Sequence, residues 1–352
     1  MPTPAIIKGS EHFFNVLYEG NGGGQKVGNF VPFTDNGTIA KSIIIDRGSS
    51  AYLARTPSSS GNAKTFTFSC WFKKGKVDTS DNTNLPLLNA KGTSNEETFL
   101  TIGGDEKIRF DHLNSSGSTR LAARSKRTYE ARDKWYHIVL RVDTTQSDSD
   151  KIRIYIDGDL QDIENTTYND NEDTAMNTSS KAMQIGRHTT TSAYGDFYIA
   201  EVNHCDGQSL APSTFGITDT STGRWIPKSL GSITYGTNGF RMQFANSAGQ
   251  TIGDDTSGNT NDYTVNNIAT TDITTDSPTQ NFAIGFHEQS DNGTRTMSEG
   301  NLKIVQGTST SKFSSMRSSL ILDPNDPNLY YCEYKVDLEH GGNGSVVGFS
   351  DV

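Results

Sequence analysis

Between Trp135 and Asp162 the chain reads WYHIVLRVDTTQSDSDKIRIYIDGDLQD, and no other stretch limits the possible folds so sharply. Tyr136, Ile138, Leu140 and Val142 alternate with His137, Val139, Arg141 and Asp143, which gives an extended segment one apolar face and one mixed face. After a polar loop the same rhythm returns, with Ile152, Ile154 and Ile156 on one side and Lys151, Arg153 and Tyr155 on the other. Two half-buried antiparallel strands are predicted. Asp157-Gly158 then supplies a dipeptide that tolerates the positive φ angles of a tight hairpin, which is expected to send the chain back along Leu160 and Ile163.

Short β-branched or aromatic runs with the same alternation occur along much of the chain. They include Ile43 to Ile45, Phe66 to Phe72, Phe99 to Ile102, Ile108 to Phe110, Leu121 to Ala123, Met183 to Gly186, Phe197 to Val202 and Phe240 to Phe244. Polar turns separate them, at the spacing of a β-sandwich. The low hydrophobic content of 32% and the 34 glycines suit many short strands joined by turns, and 352 residues leave room for two domains. The predicted class is all-β, an antiparallel jelly-roll sandwich followed by a second, incomplete β-sandwich. Residues 1–38 read as an arm whose apolar residues dock elsewhere, 39–268 as the jelly roll with its closing strands, 269–280 as a linker, and 281–352 as the partial second domain.

The formal net charge of −10 is spread without a basic stripe, so nucleic acid is not an expected partner. The short cluster Arg120, Arg124, Lys126, Arg127 reads as a solvated strand edge. Three widely spaced cysteines give neither a disulfide framework nor a zinc spacing, and Cys70, in line with Phe66, Phe68 and Phe72, is expected to be a buried thiol. The opening MPTPAIIKGSEHFF lacks the pattern of a secretory signal, and no segment approaches the ~20 apolar residues of a membrane span. A product made in the cytoplasm, without membrane insertion, is the expectation.

Longer phrases carry a family resemblance. W-Y-H-I-V followed by I-Y-I-D-G-D-L is similar to the central hairpins of concanavalin A-like, laminin G-like jelly rolls. Ala51 to Lys73, Gly186 to Leu210 and Phe215 to Lys228 resemble jelly-roll structural proteins of tailed phages, particularly marine ones, as does the Y-E-G-N-G run at Tyr18 to Thr34. The region from Asn281 resembles the opening half of a SPRY-like β-sandwich, abbreviated, completed by another subunit, or cut from a longer product. The resemblance implies a virion component, a tail fibre or tail appendage. Its jelly roll would contact host-surface glycan or pack subunits, and its arm would attach to other virion proteins or oligomerise, as a trimer by analogy. A capsid-decorating or neck protein is the alternative.

Catalytic chemistry finds little support. Jelly-roll glucanases carry their acids as E-x-D-x-x-E, because one carboxyl must protonate the leaving oxygen while another attacks or activates water. No such triplet occurs; Glu130, Asp133 and Glu201 lack the pairing. A glycan-degrading enzyme is therefore the second alternative, and the seven histidines, His137 and His188 among them, lack ligand spacing for zinc. Calcium fits better: Asp254, Asp255, Ser257, Asn259 and Asn261 crowd one oxygen-rich turn, with Asp254, Asp255 and Asn259 as its candidate ligands, and Asp148 and Asp150 form a weaker second candidate. Ordinary turn chemistry explains the same residues. For glycan contact, the exposed candidates are Tyr168, His188 and Tyr194, with Trp71.

Overall fold

The computed structural model describes residues 37–281 except 76–84, 133, 221–222 and 245–247, together with the backbone of four short strands beyond residue 284. All of these residues belong to one compact unit, residues 32–320. In chain order the strands are β1 (Ser42–Ile45), β2 (Tyr52–Arg55), β3 (Thr65–Lys74), β4 (Leu85–Lys91), β5 (Glu97–Ile102), β6 (Lys107–Leu113), β7 (Thr119–Thr128), β8 (Tyr136–Asp143), β9 (Ile152–Ile156), β10 (Asp159–Leu160), β11 (Ile163–Tyr168) and β12 (Ala182–Ile185). They continue as β13 (Arg187–His188), β14 (Ala193–Tyr194), β15 (Phe197–Asp206), β16 (Gly216–Thr218), β17 (Trp225–Pro227), β18 (Phe240–Met242), β19 (Thr264–Asn266) and β20 (Ile273–Thr274). The described residues contain no α-helix, only three-residue 3-10 turns.

Two antiparallel sheets of eight strands result. The first runs β10-β9-β8-β3-β15-β1-β20 with β18 also on β15, and the second runs β11-β7-β6-β5-β4-β12-β2-β19. Their inner faces meet in one core: Phe66, Phe68, Cys70, Phe72, Ile138, Leu140, Val142, Ile152 and Ile154 from the first, and Leu53, Leu88, Leu100, Ile102, Ile108, Phe110, Leu121 and Met183 from the second. The period-two residues of each strand supply this face, and fully burying one such side chain contributes roughly 1.5–3 kcal/mol. The Asp157-Gly158 turn forms as expected, both residues at positive φ (50° and 86°), with Asp159 back on Ile156. The return is brief, however: Ile163 crosses to the second sheet, where β11 pairs with β7.

The reading of β8 and β9 as half-buried strands needs correction, because their outer face is covered too. The segment following β15 folds back over it. Phe215 and Tyr235 pack with Val139, Tyr155 and Cys205, and Trp225 lies against Trp71, Trp135, Tyr198 and Ala200. At the centre, the His137 ring stacks on Trp71 at 4.6 Å and lies nearly parallel to Trp225 at 6.0 Å. Trp225 Nε1 donates to His137 Nδ1 at 2.9 Å, so the proton sits on Nε2, 2.9 Å from Ser69 Oγ. Burial pushes this imidazole down to about 3, and His137 is a neutral packing residue. Gly158 passes directly beneath Trp225, where a Cβ would lie 2.6 Å from the ring.

Residues 269–280, read from the sequence as a linker, belong to the sandwich. β20 pairs with β1, and the fully buried Asp276 forms an ion pair with the equally buried Lys73 at 2.9 Å. β18 on β15 and β19 on β2 likewise close the two sheets. Arg124 pairs with Asp105 and Arg120 with Glu172, while Lys126 and Arg127 are exposed, so only half of the basic cluster is free in solvent. Beyond residue 281, Gly285–His287 pairs with Met316–Ser318 and Arg295–Ser298 with Lys303–Gln306. The remainder of the expected second sandwich, Cys332 and the arm through residue 36 lie outside the described residues.

Candidate functional site

With one outer face sealed, the outer face of the second sheet is the broad surface that the described residues leave for recognition. The hairpin β13–β14 folds across it. Gly186, at φ 90°, turns the chain out of β12; a Cβ there would meet Ile45 Cγ2 at 2.8 Å. Gly195 closes the hairpin by donating its N–H to Gly186 O at 3.1 Å. Between them, Thr189 Oγ1 lies 2.8 Å from Asn89 Oδ1 and 2.7 Å from Gln184 Oε1, and Thr190 Oγ1 bonds to Glu97. These bonds fix the hairpin to β4, β5 and β12.

The arrangement this produces is a cationic clamp. The Arg187 guanidinium carbon lies 5.1 Å from the Tyr52 ring centroid and 5.6 Å from that of Tyr194, while the two rings are 6.0 Å apart. Tyr52 alternates with the inward Leu53 on β2, so it projects from the outer face. Arg187 Nε is shielded from solvent with no hydrogen-bond partner. Among the described residues, no carboxylate lies within ion-pair distance of Arg187. Asp196 is engaged by Arg47, whose main-chain N–H donates to Oδ1 at 2.9 Å and whose Nε donates to Tyr194 O at 2.9 Å. The clamp therefore offers two aromatic rings, a planar fork of donors and a net positive charge.

Farther along the same face, burial raises the Asp111 carboxyl to about 6. Its cross-strand neighbours are Phe99 and Ala122, so no second acid stands opposite it. Glu97, on the adjacent strand, is buried and committed to Asn89 Nδ2 at 2.8 Å and to Thr190. Glu201 sits at the bulge in β15, where it accepts from Arg241 Nε at 2.5 Å.

Residues 47–208 match the model of a family described as the concanavalin A-like lectin/glucanases superfamily. Over that stretch the sandwich is similar to the jelly rolls of that family. Solved structures similar to it include the native heptameric SAP-like pentraxin of Limulus polyphemus, at TM-score 0.36 and 10% identity over 49% of this chain and 78% of that one. The CBM40 of the Ruminococcus gnavus IT-sialidase gives 0.35 and 12% over 50% and 96%. For the receptor binding domain of botulinum neurotoxin type G the values are 0.32 and 14% over 49% and 42%, so less than half of that chain is spanned. No curated protein sequence matches the chain.

Within this jelly-roll domain the glycan candidates separate. Tyr194 lies in the clamp. His188 shares the hairpin but is buried, edge-on to Phe99 at 4.6 Å with Nδ1 3.0 Å from Thr191 Oγ1, so it packs the hairpin down rather than facing outward. Tyr168 is half-buried on β11, six strands from β2, or roughly 29 Å at the usual strand spacing. Trp71 is buried beneath the covering segment. Arg187 and Tyr52 escaped the sequence reading. The signal for Arg187 was its place in a stretch with no acidic residue between Asp173 and Asp196; nothing local marks Tyr52, which meets it only through the sheet.

In the oxygen-rich turn, Asp255 accepts from Arg241 N (2.9 Å), Ser257 N (2.8 Å), Ser257 Oγ (2.9 Å) and Asn261 N (2.8 Å). Asp254 is turned to Thr251, and Asn259 Nδ2 donates to Gly236 O and Gly239 O. The candidate ligands thus face different neighbours and brace the approach to β19. Asp148 and Asp150 lie in an exposed 3-10 turn, where Asp150 pairs with Arg153. An open cleft of about 500 Å³ lies at one end of the sandwich, lined by Gly61, Asn62, Lys64, Asp173, Asp206 and Thr237. Its buried Asp206 is occupied by the N–H groups of Asn62 (2.7 Å) and Asn238 (2.9 Å), a structural role that ties two loops to the end of β15.

Proposed function

We propose that the chain is a non-catalytic adhesive component of a phage virion, a tail-fibre or tail-appendage protein whose jelly roll contacts host-surface glycan. The clamp of Tyr52, Arg187 and Tyr194 carries this reading. Aromatic faces beside directional donors are the equipment of a saccharide site, since the apolar side of a pyranose packs on a ring while its oxygens take hydrogen bonds. The superfamily of the matched domain includes lectins, and the long phrases similar to phage jelly rolls support placement on a virion. By the same resemblance the chain assembles with other virion proteins, as a trimer, with a capsid-decorating or neck position as the alternative.

Binding of the intact chain to immobilised host-surface polysaccharide, compared with Tyr194→Ala, tests the site. Loss of binding in the variant is expected; undiminished binding rejects it. One observation favours a different reading, a glycan hydrolase: Asp111 has the raised carboxyl of a general acid. That mechanism needs a partner carboxylate about 5–10 Å away; the register puts Phe99 and Ala122 opposite, and Glu97, diagonal to Asp111 on β5, is committed to Asn89 and Thr190. Release of reducing ends from polysaccharide, abolished by Asp111→Asn, would establish it over the adhesive reading.

A further inference from the structure

We infer that the Tyr52–Arg187–Tyr194 clamp selects acidic saccharides, those bearing a carboxylate or a sulfate, over neutral ones. This rests on the proposed glycan contact and names its ligand class.

The other arginines among the described residues meet acids, neutral oxygens or water. Arg47, Arg109, Arg120, Arg124, Arg132, Arg153 and Arg241 each lie within ion-pair distance of an acid, and Arg55 and Arg141 bond to neutral oxygens. Arg127, which faces Tyr129, and Arg224 are exposed to water. Arg109 and Arg124 also have a shielded Nε without an acceptor, but each reaches Asp105 through another guanidinium nitrogen; Arg187 is half-buried with a shielded Nε and, among the described residues, no acid within ion-pair distance. A guanidinium nitrogen withdrawn from water and left unbonded is unfavourable, and ring contacts alone do not satisfy its N–H. Asp196, two residues beyond Tyr194, is held by Arg47, and no other carboxylate among the described residues forms an ion pair with Arg187.

An external anion would complete the site. The guanidinium fork matches two oxygens of a carboxylate or sulfate, whereas a neutral sugar offers hydroxyls that can equally donate and so gain less from a fixed charge. The tyrosines restrict the fork's orientation and give the sugar ring a surface beside it. They serve neutral and acidic sugars alike; Arg187 separates the two.

The experiment is calorimetric titration of the full chain with three probes, an oligogalacturonate, a sulfated galacto-oligosaccharide and a neutral galacto-oligosaccharide, repeated with Arg187→Gln and Arg187→Lys. The acidic probes are expected to bind more tightly than the neutral one. Arg187→Gln should weaken them roughly 10- to 100-fold and leave the neutral probe unchanged. Arg187→Lys should recover only part of the loss, since it restores the charge without the fork. A preference for one acidic probe identifies carboxylate or sulfate as the recognised group and supports the inference either way. Equal binding of neutral and acidic probes by the unsubstituted chain overturns acid selection while leaving glycan contact standing, and needs no variant to fold. Binding of none of the three overturns both.

Discussion

Replacing Asp276 by alanine tests whether the segment after β19 is part of the folded domain. The Lys73 and Asp276 side chains are both fully buried, with Nζ 2.9 Å from Oδ2. Lys73 Nζ also donates to Asn281 Oδ1 at 2.8 Å and stands 5.9 Å from the Tyr198 ring. Trp135 Nε1 reaches Asp276 Oδ1 at 3.4 Å. Asp276→Ala would take the buried carboxylate at 2.9 Å away from the Lys73 ammonium, and breaking a buried pair in this way costs about 3–5 kcal/mol. At about 2–4 °C per kcal/mol for a domain of this size, Tm should fall by roughly 6–20 °C. Replacing both partners, as Lys73→Met with Asp276→Leu, removes charge and desolvation penalty together and should return Tm to within a few degrees of the parent. Scanning fluorimetry with urea melts on the three proteins reads the comparison. A fall under about 2 °C for Asp276→Ala, or a double variant as damaged as the single, would refute the reasoning, because a solvated linker pair behaves in that way.

Three further expectations follow from the same geometry. His137 and His204 are held neutral by burial, each with its pKa pushed down to about 3. The unfolded chain binds these protons first, so their contribution is fully present above about pH 6.5 and declines on acidification towards pH 3, at up to about 1.4 kcal/mol per pH unit for each histidine; a urea midpoint unchanged from pH 7 to pH 4 would contradict this. Chelation of calcium should leave Tm unaltered, because four protein donors already meet the Asp255 carboxylate; a fall of several degrees with EGTA, reversed by calcium, would instead make the turn a cation site. Gly158→Ala should destabilise by about 1–3 kcal/mol, since φ is 86° and the new methyl group meets the Trp225 ring, with a shift in tryptophan emission as the covering hairpin is displaced.

The all-β class and the two-residue alternation of β3, β6, β8 and β9 were legible in the sequence because a strand's polarity pattern is a local property, and so was the Asp157-Gly158 turn, whose positive φ values need only those residues. Cys70 was legible for the same reason: it continues the Phe66, Phe68, Phe72 face and is buried there. What alternation cannot say is whether a sheet's mixed face meets water. His137, Val139 and Tyr155 look half-exposed in isolation and become buried only because Phe215, Trp225 and Tyr235 return over them. Asp276 looks like turn chemistry until Lys73, two hundred residues earlier in the chain, is found beside it.

The candidate site divides along the same line. Tyr194 stands out in the sequence because an aromatic residue in a threonine-rich loop is conspicuous, and His188 reads as exposed there because its contact with Phe99 depends on how the hairpin folds onto β5. Tertiary structure alone brings Tyr52 to Arg187, through the β2–β12 pairing that sets Leu53 against Ile185. Strand alternation is written residue by residue and survives in the sequence; the pairing of distant strands, and which charges it leaves without partners, is settled only when the whole chain has closed on itself.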